Sequence, residues 1–187
     1  MTMGMIHLQA RRLAAAAGAL ALFGVTLTGC SAVTTGSYLR TQVELPRYTT
    51  FGWGVANETP TGDPRLDHNP FFNDRVQAEV ERGLTAHGYA LAPSGTPDLV
   101  VRFHAIVHQE IDTQRLDQEF CADGDCRPFV SDVGTLVVDL IDTATSTLVW
   151  RGWANCPLGN AINSQAAMER RIDESIAQVL ARLPGRL

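Results

Sequence analysis

Two neighbouring segments that together predict a β-hairpin constrain the fold of this chain most strongly. They cover Thr135–Asp142 and Leu148–Ala154, and the polar run Thr143–Thr147 connects them. Their length and their β-branched and aromatic content are typical of paired antiparallel strands. If Asp142 opposes Leu148, the register pairs Leu140 with Trp150, Asp139 with Arg151 and Val137 with Trp153. Aromatic–aliphatic and opposite-charge pairs of this kind each contribute about 0.2–1 kcal/mol.

Two stretches with helical periodicity accompany the hairpin. The first follows Asn69, a good N-cap, and Pro70, which is tolerated at the first helical position. Gly88 can adopt the left-handed conformation that ends this helix. The second stretch covers about Ser164–Leu183. The predicted apolar stripes are Phe72, Val76, Val80 and Leu84 in the first helix, and Met168, Ile172, Ile176, Val179, Leu180 and Leu183 in the second.

Further segments predict the remaining strands, at Tyr48–Val55, Tyr89–Ala92 and Asp98–Ile111. In the longest of them, the apolar residues at 101, 103, 105 and 107 alternate with a mixed set at 102, 104, 106 and 108. Such strands, together with two one-faced helices, predict an α+β fold. We expect a single domain in which a mainly antiparallel sheet carries two amphipathic helices packed on one face.

The first thirty residues have the three-part pattern of a secretory signal. Arg11 and Arg12 precede an uncharged run of 15 residues, Leu13–Leu27, which is shorter than the about 20 apolar residues of a spanning helix. Leu27-Thr28-Gly29-Cys30 resembles the lipobox of bacterial lipoproteins, whose cysteine thiol accepts diacylglycerol before cleavage. We therefore expect lipidation of Cys30. The alternatives are a permanent membrane anchor and an ordinary signal peptide that happens to contain a cysteine.

This interpretation divides the chain into a cleaved signal peptide over residues 1–29, a lipidated cysteine and tether over 30–46, and an α+β domain over 47–187. Cleavage would remove 29 of the 187 residues and two of the 15 arginines, which leaves 13 arginines against 20 acidic residues and a formal charge of −7. An acidic domain without a basic cluster argues against nucleic acid as a partner. The acyl chains on Cys30 would then hold the protein at the membrane. By the sorting habits of enterobacteria, Ser31 favours the outer membrane, with the domain in the periplasm.

Three further cysteines would lie in the oxidising periplasm, where disulfides form. Cys121 and Cys126 flank a four-residue turn, so their thiols would face each other across a hairpin, and a disulfide there would contribute about 2 kcal/mol. A zinc or redox site would need more ligands or a closer spacing. Cys156 is either buried and free or competes for one of the other two, and the sequence leaves this pairing open.

Several short motifs follow one another in a fixed order after the lipobox. They are Tyr48–Trp53, Asp63–Asp67, Leu84–Tyr89, Pro97–Val101, Gly134–Asp142 and Leu148–Ala154. This order resembles the bacterial lipoproteins grouped as domain of unknown function 4136, from about Arg47 onward. Ser146 stands where the family's hairpin usually has Gly, at a turn position that favours a left-handed residue. The resemblance implies a cellular localisation and a fold but no catalytic activity, because the family has no established enzymatic activity.

Candidate catalytic and metal-binding residues are few, and no Gly-x-Ser-x-Gly nucleophile motif occurs. His104 and His108 lie four apart on a predicted strand, about 13 Å from each other, so one ion cannot bind both. We interpret them as histidines on a partly exposed sheet face.

Two acidic loops and two groups of sheet residues have both structural and functional interpretations. The loop with Asp63, Asp67 and His68, and the turn Asp123–Asp125, both lack the full oxygen set of a calcium site. Asp139 with Arg151 is expected to be a structural cross-strand pair rather than a buried functional pair. The three tryptophans, Trp53, Trp150 and Trp153, are expected in the core rather than in a ligand groove. The sequence thus predicts no catalytic residue, no cofactor and no metal.

These observations favour a non-enzymatic structural or interaction module of the cell envelope, with a protein partner whose identity the sequence does not reveal. The alternative is a carrier or binding protein for a lipid or small hydrophobic ligand, which would need an apolar cavity between helices and sheet. A third hypothesis is a hydrolase with an unrecognised site, and replacing His104 and His108 would test whether those two residues belong to it.

Overall fold

The predicted hairpin lies at the centre of a six-stranded sheet. The computed structural model describes residues 33–54, 60–67, 69–111, 121–122, 125–126 and 130–185. Its strands are β1 (Thr34–Leu39), β2 (Thr50–Trp53), β3 (Ala90–Leu91), β4 (Leu99–Ile111), β5 (Cys121–Ala122), β6 (Asp125–Cys126), β7 (Val130–Asp142) and β8 (Thr147–Pro157). Its α-helices are α1 (Pro70–Ala86) and α2 (Gln165–Leu180).

The large sheet has the strand order β1-β8-β7-β4-β2-β3, while β5 and β6 form a separate hairpin. Neighbouring strands are antiparallel, except that β2 is parallel to both β3 and β4. Together with two helices on one face, this confirms the predicted α+β class and the mainly antiparallel sheet.

The predicted hairpin register is confirmed along most of its length. Leu140 pairs with Trp150, Asp139 with Arg151 and Val137 with Trp153. Nearer the turn the prediction was wrong, because Asp142 pairs with Thr147 and not with Leu148. An irregularity between Leu140 and Ile141 adds one residue to β8 and shifts the pairing there. Ser146 has φ of 55°, so the left-handed turn residue lies where it was expected.

The caps of α1 and the apolar stripes of both helices agree with the sequence prediction, while α2 ends at Leu180, three residues before the predicted end. The side chain of Asn69 accepts a hydrogen bond from the amide of Phe72 at 3.3 Å, and Pro70 begins α1. Gly88 has φ of 87°, and the amide of Tyr89 then donates to the carbonyl of Leu84 at 3.1 Å. Every residue of the two predicted stripes is buried, so both helices pack against the sheet through these faces.

Trp150 occupies the core between β8 and α2. Its side chain is fully buried, and its ring lies over the backbone of Gly152. A Cβ atom at position 152 would approach Cη2 of Trp150 to 2.4 Å and Cγ1 of Val179 to 2.7 Å. The absence of a side chain at Gly152 therefore allows the tryptophan and the helix to pack closely on the strand.

The interval predicted to be a tether is partly folded, which differs from the expected domain boundary at residue 47. Thr34–Leu39 forms β1, an edge strand that pairs with β8, and Leu45 is buried in the core. The sequence of β1 has no sustained alternation, so its order comes from pairing with β8 rather than from local pattern. Cys30 and the predicted signal peptide lie outside the described residues.

The two helices of the described part are too short and too polar to cross a membrane.

Candidate functional site

The side of the large sheet that faces away from both helices, here called the open face, carries four of the polar side chains that the sequence singled out, His104, His108, Asp139 and Arg151. Along β7, Asp139 alternates with Val138 and Leu140, which are buried under the helices, so its side chain points to the other side. The residues that define the open face are Tyr38, Arg102, His104, Asp139, Arg151 and Trp153. No helix of the described residues covers this face.

Asp139 and Arg151 form the cross-strand pair that the sequence predicted. Nε and one terminal nitrogen of Arg151 each donate to one carboxylate oxygen of Asp139, both at 2.6 Å. The carboxylate is buried, whereas the guanidinium is about half exposed. Hydrogen bonds from Arg151 to Asp139 raise the pKa of the arginine further. This bidentate geometry holds the guanidinium in one orientation at the surface.

Two more basic side chains lie beside this pair. Nε2 of His104 is 4.0 Å from the carboxylate of Asp139. Arg102 is the register partner of Asp139 on β4, and it is exposed. Gly54 leaves room for it, since a Cβ there would lie 3.0 Å from Nε of Arg102. Arg102 and Arg151 are thus the register neighbours of one carboxylate on either side, and these three side chains together carry a formal charge of +1 in a chain of −5.

Trp153 adds an aromatic surface next to the charged cluster. Its ring lies across the backbone of β1, where a Cβ at Gly36 would approach Cζ2 of Trp153 to 2.3 Å. Tyr38, which pairs with Arg151 across β1 and β8, is half exposed on the same face. The sequence predicted all three tryptophans in the core. Trp150 is fully buried there and Trp53 is partly buried against it, whereas Trp153 lies half-buried on the open face.

The open face also carries the two histidines that the sequence weighed as catalytic or metal-binding candidates. His104 and His108 lie on this same face of β4, as predicted, and His104 is near a carboxylate already engaged by Arg151. Within the part of the chain that the structure describes, no group of three metal-ligating side chains occurs. Arginine and aromatic side chains are the residue types that most often dominate protein interfaces.

The acidic loop before α1 has a structural role in the described residues. Asp63 accepts hydrogen bonds from the side chain and the amide of Arg65, which lower the pKa of its carboxyl. Asp67 accepts from the amide of Thr61 at 2.6 Å. Trp53 donates through Nε1 to Glu81 of α1 at 2.7 Å, which ties β2 to the helix. His68, Asp123 and Gly124 lie outside the described residues.

An apolar cavity lies between the helices and the sheet, where the carrier hypothesis requires one. Its volume is about 40 Å³, and its lining includes Phe72, Leu136, Leu158, Met168 and Ile172. Pockets for small-molecule ligands usually measure about 300–1,000 Å³. The cavity is therefore much smaller than a lipid or drug-sized ligand needs.

Cys121 and Cys126 pair directly across the β5–β6 hairpin, as the sequence predicted for their backbones. Their side chains lie outside the described part of the structure, so the disulfide stays a prediction. Cys156 is buried and free, which answers the question of whether it competes for a partner, and burial raises the pKa of its thiol.

We expect the denatured, lipidated mature chain to react with iodoacetamide at one thiol, Cys156, before reduction and at three thiols after it. If the predicted disulfide forms, Cys121 and Cys126 cannot be alkylated until it is reduced. Peptide mapping by mass spectrometry locates the labels. Labelling of all three cysteines without reductant would show that the disulfide is absent, and a native-state control should label Cys156 only slowly because its thiol is buried.

Comparisons with known proteins concern the whole domain. The model of a family described as Domain of unknown function (DUF4136) matches residues 37–185. No curated protein matches the chain. A PDZ domain protein from Parabacteroides distasonis is similar in structure, with 12% identity over 82% of this chain and 36% of that chain, and a TM-score of 0.53. At this identity the likeness is one of fold alone.

Two further solved structures have lower structural similarity. The PelC dodecamer from Paraburkholderia phytofirmans has 18% identity, covers 83% of this chain and 100% of that chain, and has a TM-score of 0.47. A DUF4136 family protein from Bacteroides thetaiotaomicron has 10% identity, covers 78% of this chain and 95% of that chain, and has a TM-score of 0.47.

Proposed function

The chain belongs to the DUF4136 family, and from this premise we propose that it is an outer-membrane lipoprotein whose periplasmic domain binds a protein partner through the open face and catalyses no reaction. Lipid on Cys30 would hold the domain at the membrane. The partner would be another protein of the cell envelope with an acidic surface.

The single observation that carries the binding proposal is the arrangement around Asp139. A guanidinium held by two hydrogen bonds loses little conformational freedom when it binds, and a second guanidinium lies on the neighbouring strand. Both guanidinium groups are suited to bind carboxylates on a partner's surface, because arginine binds a carboxylate through paired hydrogen bonds. The half-buried ring of Trp153 and the exposed ring of Tyr38 add apolar contact area beside them.

The anchoring proposal is supported by the sequence around Cys30. The cysteine follows a short apolar run and small residues, which is the arrangement that lipoprotein processing requires. The carrier hypothesis is less well supported, because the cavity of about 40 Å³ would have to enlarge several-fold to admit a lipid.

Two variants test anchoring and binding separately. In Cys30→Ala cells the protein should leave the outer-membrane fraction, and intact-mass measurement of the wild-type mature chain should show the acyl chains on Cys30. For binding, a photo-crosslinking amino acid replaces Tyr38 in living cells, and the crosslinked partner is identified by mass spectrometry.

The crosslink at position 38 should weaken several-fold in the Arg102→Gln variant, because one of the two guanidinium groups is lost while the Asp139–Arg151 pair is kept. The matched control is Arg170→Gln, which removes an exposed arginine from α2. Equal crosslinking in both variants, with both folded by circular dichroism, would contradict the open face as the binding surface.

A further inference from the structure

The outer edge of β1 has no strand partner among the residues that the structure describes. The amide of Arg40, just after the strand, donates to the carbonyl of Val149 on β8 at 3.0 Å. Successive residues of a strand direct their backbone groups to alternate sides, so Thr35, Ser37 and Leu39 direct theirs away from β8. These three residues therefore present backbone donors and acceptors along one line.

β1 also lacks the sequence features that usually protect a strand edge. Thr34–Leu39 contains no charged residue and no proline, and its register with β8 is continuous. Tyr38 is 50% exposed and Leu39 is 40% exposed. An uncharged edge with exposed apolar side chains is a template for pairing with a further strand.

The opposite edge of the sheet is protected and offers no matching strand. β3 has only two residues, Ala90 and Leu91, and Pro93 follows shortly after. The amides of Ala90 and Ala92 both donate to β2, so Leu91 is the residue of β3 whose backbone groups point outward. A head-to-tail contact between β1 of one copy and β3 of another would form about two hydrogen bonds, which are too few to specify a register.

β1 is instead complementary to itself in the antiparallel orientation. If Ser37 opposes Ser37 of a second copy across a two-fold axis, Thr35 of each copy opposes Leu39 of the other. All three outward-directed residues then lie in hydrogen-bonded pairs, with about six backbone hydrogen bonds in total. Like charges do not meet between the strands, because Thr34–Leu39 is uncharged.

The same register brings aromatic side chains together on the open face. Tyr38 of one copy opposes Gly36 of the other in a non-hydrogen-bonded pair, in which Cα atoms lie about 4.5 Å apart and side chains are closest. The ring of Trp153 already lies across Gly36. Tyr38 would therefore pack over the glycine of the second copy and against the edge of its Trp153 ring, and the two-fold axis forms this contact twice.

We propose that the chain forms a two-fold symmetric dimer through antiparallel pairing of β1 with β1 of a second copy. The two six-stranded sheets join into one continuous sheet whose open faces lie on the same side. The dimer goes beyond the proposed function, because it depends neither on lipidation of Cys30 nor on an acidic partner. It presents two Asp139–Arg151 pairs to such a partner.

Disulfide trapping in cells that express the full chain tests this register. Ser37→Cys places two thiols at the two-fold axis, where Cα atoms about 5.5 Å apart suit a disulfide. The matched control is Leu39→Cys, at a position that is also exposed, because its two cysteines would lie about 14 Å apart along the strands. Oxidation with copper phenanthroline and non-reducing electrophoresis measure the covalent dimer, and the wild type with its native cysteines gives the background.

We expect at least ten-fold more covalent dimer from Ser37→Cys than from Leu39→Cys. Equal yields at the two positions, a yield at position 37 no higher than the background, or a disulfide from position 37 to a different protein would each overturn the proposal.

The variant Ser37→Pro gives a second readout without an introduced thiol. The amide of Ser37 is not used in pairing with β8, so proline is tolerated there, whereas the dimer loses its central hydrogen bonds. Analytical ultracentrifugation in detergent should show a dimeric wild type and a monomeric variant with an unchanged circular dichroism spectrum. A monomeric wild type, or a variant that stays dimeric, would contradict the β1 contact.

The outcome for the dimer is separable from that for the proposed function. If the dimer forms, photo-crosslinks from position 38 include a second copy of the chain as well as the envelope partner. We expect Ser37→Pro to abolish the crosslinks between copies and Arg102→Gln to weaken only those to the envelope partner. Loss of one set without the other therefore shows which of the two contacts is wrong.

Discussion

Replacing Trp150 with alanine should lower the free energy of unfolding by about 3–5 kcal/mol, the range observed when large aromatic residues are removed from cores. The side chain is fully buried, and the ring lies over Gly152 beside Val179. Neighbouring groups cannot fill the space, because the backbone of β8 is held by hydrogen bonds to β1 and β7. The loss should appear as a lower midpoint in urea denaturation with an unchanged slope.

The matched control for this prediction is Trp153→Ala on the same strand. The ring of Trp153 is only half-buried and faces the open side of the sheet, so we expect a loss below about 2 kcal/mol. Equal losses in the two variants would mean that the open face is covered in solution. A smaller loss for Trp150→Ala than for Trp153→Ala would contradict the placement of the core.

Acid should destabilise the domain between about pH 4 and pH 2 through two carboxylates. Asp142 accepts hydrogen bonds from the hydroxyl of Tyr48 at 2.7 Å and the amide of Thr145 at 2.9 Å, and these hold its pKa at about 2. Asp98 accepts from the amides of Thr49 and Thr50, and its pKa is likewise about 2.

Because both pKa values are lower in the folded than in the unfolded chain, the stabilisation is present above about pH 4. It is lost as the pH falls towards 2, where the folded state must also take up the protons. For Asp142, whose side chain is only 6% exposed, the depressed pKa corresponds to about 2 kcal/mol. Unfolding free energies from urea titrations at pH 7, 4, 3 and 2 measure the loss.

The variant Asp142→Asn separates the contribution of the Asp142 carboxylate to acid sensitivity from that of the other acidic residues. It should cost about 2 kcal/mol at pH 7 and should then lose less stability than the wild type between pH 4 and pH 2. Asp74→Asn, which removes an exposed carboxylate from α1, is the matched control and should change the free energy of unfolding at pH 7 by less than about 0.5 kcal/mol. An identical acid profile for Asp142→Asn and the wild type would contradict the role of this carboxylate.

The sequence by itself determined the elements whose pattern is local. Asn69, Pro70 and Gly88 mark the ends of α1, and four-residue spacing predicts its buried stripe, because a helix places such residues on one side whatever surrounds it. The pairing of Asp139 with Arg151 was also predictable, since a short connection leaves two strands few registers.

Only the tertiary structure decided the features that depend on distant parts of the chain. Thr34–Leu39 is a strand because β8 supplies its hydrogen-bond partners. The ring of Trp153 fits against β1 because its partner there is Gly36, a residue more than a hundred positions earlier in the chain that has no side chain. Arg102 and His104 likewise lie next to the Asp139–Arg151 pair only because β4 is the neighbour of β7 in the sheet. Such contacts cannot be predicted from local sequence, because the free energy that stabilises them arises only when separate segments pack together.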